Sequence, residues 1–478
     1  MLAVAPTQGL SFLRSVILAR LLTPEAFGLF GIVSMTIDAF TAVSNLNLKS
    51  LLITLPFDQK DSKDILIDSI WVLEILRSTL IFVAIWAASS FVCNYYGSPE
   101  LYPLLVTAAF AVLIAGFTNA AFTLYERDIE YKRVVILELL TALVGFCTTI
   151  GLTLWRRDAT VFVWGMVSAN LFRVVMSFAW HNYKPTWRFD RAILRKCLAY
   201  SRYFLVLSFF TYVTTQFDNL VIGKYMGLAA LGIYLMAYKL AMIPVDVIMQ
   251  VVSRVTLPLY AKLYREDPGS SFDRWSTNII CLGWVFATSS LVLWIGGAYC
   301  ISFFYGQNWI IPVGVFYTLI GAGLFRGLAQ GSGSMVQAMN RQDVDSIAKT
   351  TETVIFVLLI LSLVPRFGMI GAGFAGLICY LLAFIFRTAF LLTVNPAMGL
   401  KLAAGFMRLI LGVGIVILSN YLLAALSIPF MIRIGLVPLL FFCTGMVLEP
   451  LLREYMHLTL KNTFLRNYIP SFVVSNGK

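Results

Sequence analysis

Charged side chains interrupt the long apolar runs of this sequence at Arg14, Asp38, Glu74, Arg77, Glu138, Arg173, Asp218, Asp246, Arg326, Glu352 and Arg387. In hydrocarbon such groups are costly, so each must pair, reach an interface or line a wet cavity. Their polar neighbours recur at helical spacing. Arg326, Gln330, Ser334 and Gln337 fall along one helix face, Ser208, Thr211, Thr215 and Asp218 along another, and Asp246 and Gln250 lead toward Arg254 on a third. Glu74 and Arg77 stand three apart and can reach one another as an ion pair. For Glu138, Arg254 and Arg387 snorkelling or mutual neutralisation is the simpler expectation. Arg14, Arg173 and Arg326 have no carboxylate one turn away on their own helix, and are expected to face a water-filled cavity. Guanidinium forks match phosphate oxygens bidentately, so such a cavity suits an anionic ligand such as a diphosphate. The candidate ligand-binding set is therefore Arg14, Arg77, Arg173 and Arg326 with Gln216, Gln250, Gln330 and Gln337. For binding H⁺ or Na⁺ the candidates are Asp218 first, then Asp38 and Asp246.

Other chemistries find little support. His181 and His457 are the only histidines and stand far apart, so no metal site or imidazole relay is expected. The 7 cysteines are scattered without a C-x-x-C pair and read as small buried apolar residues. GAGFAG at 371–376 satisfies G-x-G-x-x-G but opens an apolar run and follows no soluble strand; its small residues read as helix contacts. No P-loop motif occurs, and no cofactor is expected. An enzyme of the polymerase or ligase type would need carboxylates or histidines on a sizeable outer loop, whereas the outward loops are short and hold stray acids such as Glu25, Glu100 and Asp158.

The elements that must position these residues are membrane spans. The chain is 59% hydrophobic and 13% charged, against roughly a quarter charged in ordinary soluble domains. About fourteen apolar runs recur, each of roughly 18 to 25 residues and long enough to cross a hydrocarbon core. They lack the period of two expected of barrel strands. The net charge of +12 sits mostly in alternate connections, densest at Lys184, Arg188, Arg191, Arg195 and Lys196. The opposite connections hold only Arg20, Arg156, Arg157, Lys224, Lys239, Arg366 and Arg433 on this count. That asymmetry places both termini in the cytoplasm and explains the basic balance without nucleic acid. The start, MLAVAPTQGLSFLRS, has no basic stretch before its apolar run and does not read as a cleaved signal peptide; its abruptness suggests an upstream segment.

One phrase is written twice. ILARLLTPEAFGLF at 17–30 and VIGKYMGLAALGIY at 221–234 align without a gap at an offset of 204, so that Gly28 meets Gly232 and Arg20 meets Lys224. Each occupies an outward turn, after spans 1 and 7. Two parallel repeats related by an axis along the membrane normal are a transporter plan, with the ligand path between them. The boundary falls in the inward loop 181–204, where Ala192 to Leu198 has the spacing of an interfacial linker helix. The tail LLREYMHLTLKNTFLRNYIPSF has the look of an amphipathic surface helix.

ILARLLTPEAFGLF, the loop LYERDIEYKR, the long segment TTQFDNLVIGKYMGLAALGIYLMAYKLAMIPVDVIMQVVSRVTLPLYAKL and FYGQNWIIPVGVFYTLIGAGLFRGLAQGSGSMVQAMNR resemble the polysaccharide or O-antigen flippases of the multidrug/oligosaccharidyl-lipid/polysaccharide exporter superfamily. The similarity runs from about residue 12 to about 395 and is most specific after Ser201. It implies an all-α polytopic protein of about fourteen transmembrane helices: two six-helix lobes related by a pseudo-two-fold, plus two extra carboxyl-terminal helices. The expected organisation is residues 1–182 as spans 1 to 6, a linker helix at 183–200, spans 7 to 12 at 201–395, two further spans at 396–450 and a cytoplasmic tail at 451–478. The resemblance further implies alternating access in a bacterial inner membrane. The cargo it implies is an undecaprenyl-diphosphate-linked oligosaccharide moved from the cytoplasmic to the outer leaflet; H⁺ or Na⁺ is the expected coupling ion, and membrane lipids and polysaccharide polymerase or assembly proteins are the expected partners. Arg14 lies where first-span arginines occur in related lipid flippases, and Gln216 with Asp218 matches a Q-x-D-like pattern. A drug/cation antiporter on the same fold is the alternative; it would want cavity carboxylates, where this interior reads as more basic.

Overall fold

The computed structural model describes residues 4–54, 60–128, 130–188, 190–306, 309–426 and 430–449, and these are helical apart from their connections. In chain order the helices are α1 (Val4–Leu21), α2 (Pro24–Val43), α3 (Leu48–Thr54), α4 (Lys60–Tyr96), α5 (Leu101–Gly116), α6 (Leu124–Arg127), α7 (Tyr131–Trp155), α8 (Thr160–Trp180), α9 (Arg191–Met226), α10 (Leu228–Glu266), α11 (Pro268–Tyr305), α12 (Val313–Ala338), α13 (Gln342–Val394), α14 (Met398–Ala425) and α15 (Phe430–Leu448). The 53-residue α13 is two rods joined at Gly368, whose φ of 60° is open to glycine but strained for other residues. Counting it twice and setting aside the short α3 and α6 leaves fourteen long helical segments, in agreement with the apolar runs.

Among the described residues 9 helices are long and apolar enough to cross a membrane, and α5 with the turn and α6 beyond it forms a pair bent by 69°. Helix α1 is long enough but too polar to join that set, and α9 carries a polar stripe. Both carry polar residues that a lipid-facing helix would lack, and both contribute to the sites below. The chain is thus an all-α, multi-pass membrane protein.

Contacts divide the described residues into two units. The first comprises those within Met1–Leu240, Ile301–Val315 and Thr350–Ala375; the second, those within Ala241–Cys300, Phe316–Lys349 and Gly376–Lys478. In the first, α4 packs on α5, α7 on α8, α5 on α8, α1 on α7 and α2 on both α4 and α9. The second is centred on Trp275, Phe286, Phe441 and Met335, all without exposure, with α14 packed on α15. Lipid tails are as apolar as leucine, so this packing draws on close dispersion contact more than on expulsion of water.

The duplicated phrase explains a close backbone contact in the first unit. Thr23 caps α2 by accepting from Ala26 N, Pro24 occupies the first turn, and Glu25 faces the positive end of the helix dipole. A Cβ at Gly28 would overlap the Leu228 carbonyl oxygen, and a Cβ at Gly232 would overlap the Pro24 carbonyl oxygen. At the offset of 204, Leu228 is the equivalent of Pro24 and Gly232 of Gly28. The two contacts are therefore one contact made twice across a local two-fold. Gly31 meets Leu235, its own equivalent, so that contact lies on the axis. Chance similarity between two apolar turns has no reason to produce this reciprocity.

The equivalent cations behave alike. The Arg20 guanidinium donates to Phe304 O at 3.2 Å and to Phe303 O, in the last turn of α11. Lys224 Nζ donates to Tyr95 O at 2.5 Å, in the last turn of α4, and lies 4.3 Å from the Tyr95 ring centroid. Each cation meets the negative end of a helix dipole.

At the other end of the unit, residues 181–188 are irregular and α9 runs without a break from Arg191 into the span. Tyr183 Oη donates to Asp68 Oδ1 at 2.8 Å, Thr186 N to the same oxygen at 2.9 Å, and Thr186 Oγ1 to Asp68 Oδ2 at 2.6 Å. Asp68, 1% exposed on α4, thus holds the connection that leads into α9. The tail from 451 on, for which an amphipathic helix is expected, lies outside the described residues.

Candidate functional site

A cavity of about 490 Å³ opens between α2, α4 and α9. Asp38, Thr41 and Ala42 come from α2, with Asn45 just beyond its end; Arg77 comes from α4; Ser208, Thr211, Tyr212, Thr215 and Gln216 come from α9. Steps of three and four along α2 and α9 put these groups on facing stripes, which is why the polar face predicted for α9 becomes a wall here. Three candidates from the sequence, Asp38, Arg77 and Gln216, meet in this one place.

Hydrogen bonds fix the wall. Asn45 Nδ2 donates to Ser208 Oγ at 3.0 Å, and Tyr212 Oη donates to Met35 O at 3.2 Å. Arg77 is held on its own helix: Nη2 lies 2.8 Å and Nε 3.1 Å from Glu74 Oε2, the pair that the spacing implies. Its charge is thereby balanced before any ligand arrives.

From the cavity a hydrogen-bonded path leads along α9. Gln216 Nε2 donates to Asp38 Oδ2 at 3.3 Å, while Asn219 Nδ2 donates to Gln216 Oε1 at 2.9 Å. Asn219 N donates to Asp218 Oδ1 at 2.9 Å, and Tyr234 Oη donates to Asp218 Oδ2 at 2.7 Å. Asp218 is buried, and among the described residues no Lys or Arg pairs with it. The path joins α2 to α10 through two carboxylates and two amides. Nearby, Thr214 and Thr353 share a hydrogen bond of 2.8 Å between α9 and α13.

A second polar cluster sits between α1 and α10. Lys239 Nζ donates to Ser15 Oγ at 2.5 Å and to Ser11 O at 3.3 Å, and Arg14 is close enough for the two charges to interact. Both side chains are half-buried, and among the described residues neither has a carboxylate partner. Two neighbouring cations without an acid partner, one of them against serines, form a ready anion site. The sequence reading put Lys239 in an outward connection. Here α10 begins at Leu228, so Lys239 stands eleven residues inside the helix, roughly 16 Å along it at 1.5 Å per residue.

The remaining candidates do not converge on one place. Arg326 on α12 lies 3.4 Å from Asp246 on α10, so its carboxylate comes from another helix and the expectation of a partnerless arginine does not hold there. Gln337 Nε2 donates to Asp345 Oδ2 at 3.0 Å while Arg387 Nε donates to Asp345 Oδ1 at 3.1 Å, tying both to α13. Gln330 is exposed and Gln250 half-buried on their helices. Arg173 on α8 has its Nε buried without a hydrogen-bond partner among the described residues. Two residues escaped the sequence reading. Lys239 was lost in the span count, and Asp68 was overlooked in the apolar window DILIDSIWVLEIL, where an unmatched carboxylate is itself the signal.

Residues 17–314 match the family described as polysaccharide biosynthesis protein. The lipopolysaccharide biosynthesis protein WzxC of Escherichia coli is 21% identical over 379 residues, which is 79% of this chain and 74% of that protein. An uncharacterized membrane protein in the cps region of Klebsiella pneumoniae is 23% identical over 397 residues, 82% of this chain and 80% of that one. Among solved structures, a lipid II flippase, MurJ, in an inward closed conformation superposes with a TM-score of 0.70 at 16% identity, covering 93% of this chain and 97% of that one. An inward-facing multidrug resistance MATE family transporter gives 0.64 at 14% identity, over 82% and 95%. At these identities the structures establish a shared fold.

Proposed function

Because the chain belongs to the polysaccharide biosynthesis protein family, we propose that it carries a polyprenyl-diphosphate-linked oligosaccharide from the inner to the outer leaflet of a bacterial cytoplasmic membrane. The observation that carries this reading is the Arg14–Lys239 pair: two cations, uncompensated by acid among the described residues, on α1 and α10, the lysine held by serines. A diphosphate satisfies both, and its lipid tail stays in the bilayer while the sugars occupy polar space. WzxC is named for lipopolysaccharide biosynthesis and MurJ for lipid II, and both names fit a lipid-linked glycan as cargo.

On this reading residues 1–182 and 201–395 act as the two moving lobes, joined through the linker, with both termini cytoplasmic and the duplicated phrases on the outer side. Arg173, Arg326, Gln250, Gln330 and Gln337 are second-rank ligand contacts. Asp218 is the coupling residue. Its two oxygens already accept from Tyr234 and Asn219, an arrangement better suited to gaining a proton than to assembling the six or so oxygens of a metal cage. Asp246, paired with Arg326, is the weaker candidate for that role. Polymerase or assembly proteins take the delivered lipid onward. A drug/cation antiporter, suggested by the MATE likeness, accounts for Asp38 but leaves the Arg14–Lys239 pair without a purpose.

The test is mass spectrometry of lipids from a deletion strain, joined to a sidedness assay in spheroplasts. A polyprenyl-diphosphate oligosaccharide that accumulates on the inner leaflet, and clears when the intact gene is restored, is the expected result. An unchanged lipid profile in a strain that makes the glycan and lacks a second copy of the gene would overturn the reading.

A further inference from the structure

The cavity between α2, α4 and α9 has an uneven hydrogen-bonding character. Thr41 Oγ1 donates its proton to Ile37 O at 2.8 Å, and Thr215 Oγ1 donates to Thr211 O at 2.9 Å. A hydroxyl has one proton, so a threonine that returns it to its own helix presents only lone pairs to the cavity. Ser208 Oγ already accepts from Asn45, and the Tyr212 proton is directed to Met35 O. One Asn45 amide proton goes to Ser208 and one Gln216 amide proton to Asp38. Single donors remain on Asn45, Gln216 and Ser208, against acceptors on Thr41, Thr215 and the Asp38 carboxylate, the strongest of them.

The charge balance points the same way. Arg77 is neutralised by Glu74, and among the described residues no Lys or Arg lies within salt-bridge reach of Asp38. The wall therefore carries one uncompensated negative charge.

We infer that this cavity is a glycan subsite that takes neutral or amino sugars and rejects uronic acids, with Asp38 as the specificity-determining residue. Sugar hydroxyls, N-acetyl amides and ammonium groups are donors and find acceptors on both stripes. A uronate brings a carboxylate against Asp38 with no cation free to offset it, and like charges across a partly dry cavity repel. The inference rests on the flippase reading and refines it: the diphosphate goes to Arg14 and Lys239, and the discrimination among sugars happens here. It concerns the sugar that reaches this wall and leaves the rest of the oligosaccharide free to vary.

The experiment compares two undecaprenyl-diphosphate tetrasaccharides of equal length, one of galactose and N-acetylglucosamine, the other with one galactose replaced by glucuronate. The purified full chain is reconstituted in liposomes, and inward passage of each lipid is followed by its protection from external periodate. The neutral lipid is expected to move roughly five- to tenfold faster, the scale of one like-charge contact across a hydrated cavity. Asp38→Asn should bring the two rates together. Thr215→Lys, at an exposed position on the same wall, should reverse the preference and guards against an Asp38 variant that fails to fold. Equal rates in the unaltered protein, or an undiminished preference in both variants, would overturn the subsite while leaving flipping intact. Movement of neither lipid would remove the flippase reading and the subsite with it.

Discussion

At the scale of single residues, the question is which buried charges are free to act on a ligand. Arg14 and Lys239 are, because serines hold Lys239 and among the described residues no acid answers either charge. Arg14→Ala and Lys239→Ala are each expected to lower polysaccharide export at least roughly tenfold at normal protein level, since a charge-assisted phosphate contact contributes about 1.5–3 kcal/mol. Lys239→Arg should keep most of the export, because it preserves the charge. Full export in both alanine variants would remove the anion site. Arg326 should behave differently. With Asp246 at 3.4 Å and about half exposed, the pair is worth on the order of 1 kcal/mol, and Arg326→Ala should lower thermal stability more than the Arg326→Ala, Asp246→Ala double variant does. A double variant less stable by the plain sum of the two single losses would show that the pair is not coupled. Charges interrupting apolar runs single out Arg14, Asp38 and Asp218 in the sequence, and spacing along one helix implies the Glu74–Arg77 pair. It could not show that Asp246 reaches Arg326 from another helix, because a partner across a helix interface leaves no periodic trace. Lys239 was hidden for a different reason. Its neighbours are apolar enough that a span starting several residues later fits the hydropathy equally well.

At the scale of elements, the fold was legible wherever apolar length decides and illegible wherever a connection decides. Fourteen runs became fourteen long segments, and the two written phrases became one reciprocal contact. The Asp68 clamp was invisible because Tyr183 and Thr186 lie more than a hundred residues away in a connection with no regular structure. That clamp is testable. Burial first, and then the hydrogen bond to Asp68, push the Tyr183 phenol above the usual tyrosine range, so it stays a donor through neutral and mildly alkaline pH. A raised folded value means that this contribution is present in full below the ordinary tyrosine value, declines above it and is gone once pH has climbed through the shifted one. Asp68→Asn replaces a two-oxygen acceptor by one that offers a single carbonyl. It is expected to cost about 1–3 kcal/mol and to expose the 181–188 connection to protease. Unchanged melting and unchanged cleavage in Asp68→Asn would show that the clamp holds nothing.

At the scale of the whole molecule, transport by alternating access requires the duplicated phrases to be in contact in one state and apart in another. The contact is closed here: Gly28 and Gly232 admit carbonyl oxygens where any side chain would stand, and Arg20 and Lys224 fasten the same end to the last turns of α11 and α4. Such a contact carries little adhesive energy of its own, since small residues in lipid gain by fit alone. A contact of this kind closes tightly and still releases. Gly31 and Leu235 offer the place to test it, because they are equivalent positions that meet on the local axis. In a background with the 7 native cysteines replaced, Leu235→Cys removes the side chain that would obstruct residue 31, and Gly31→Cys fills the space. Oxidation, or a short bifunctional thiol reagent, should then join the pair and stop export, and reduction should restore it. The Leu235→Cys single variant, and the double variant kept reduced, should export normally, which separates a blocked movement from a damaged helix. Export that continues with the two positions joined would mean that this end stays shut throughout the cycle, and the cargo would have to leave by a route that never parts α2 from α10.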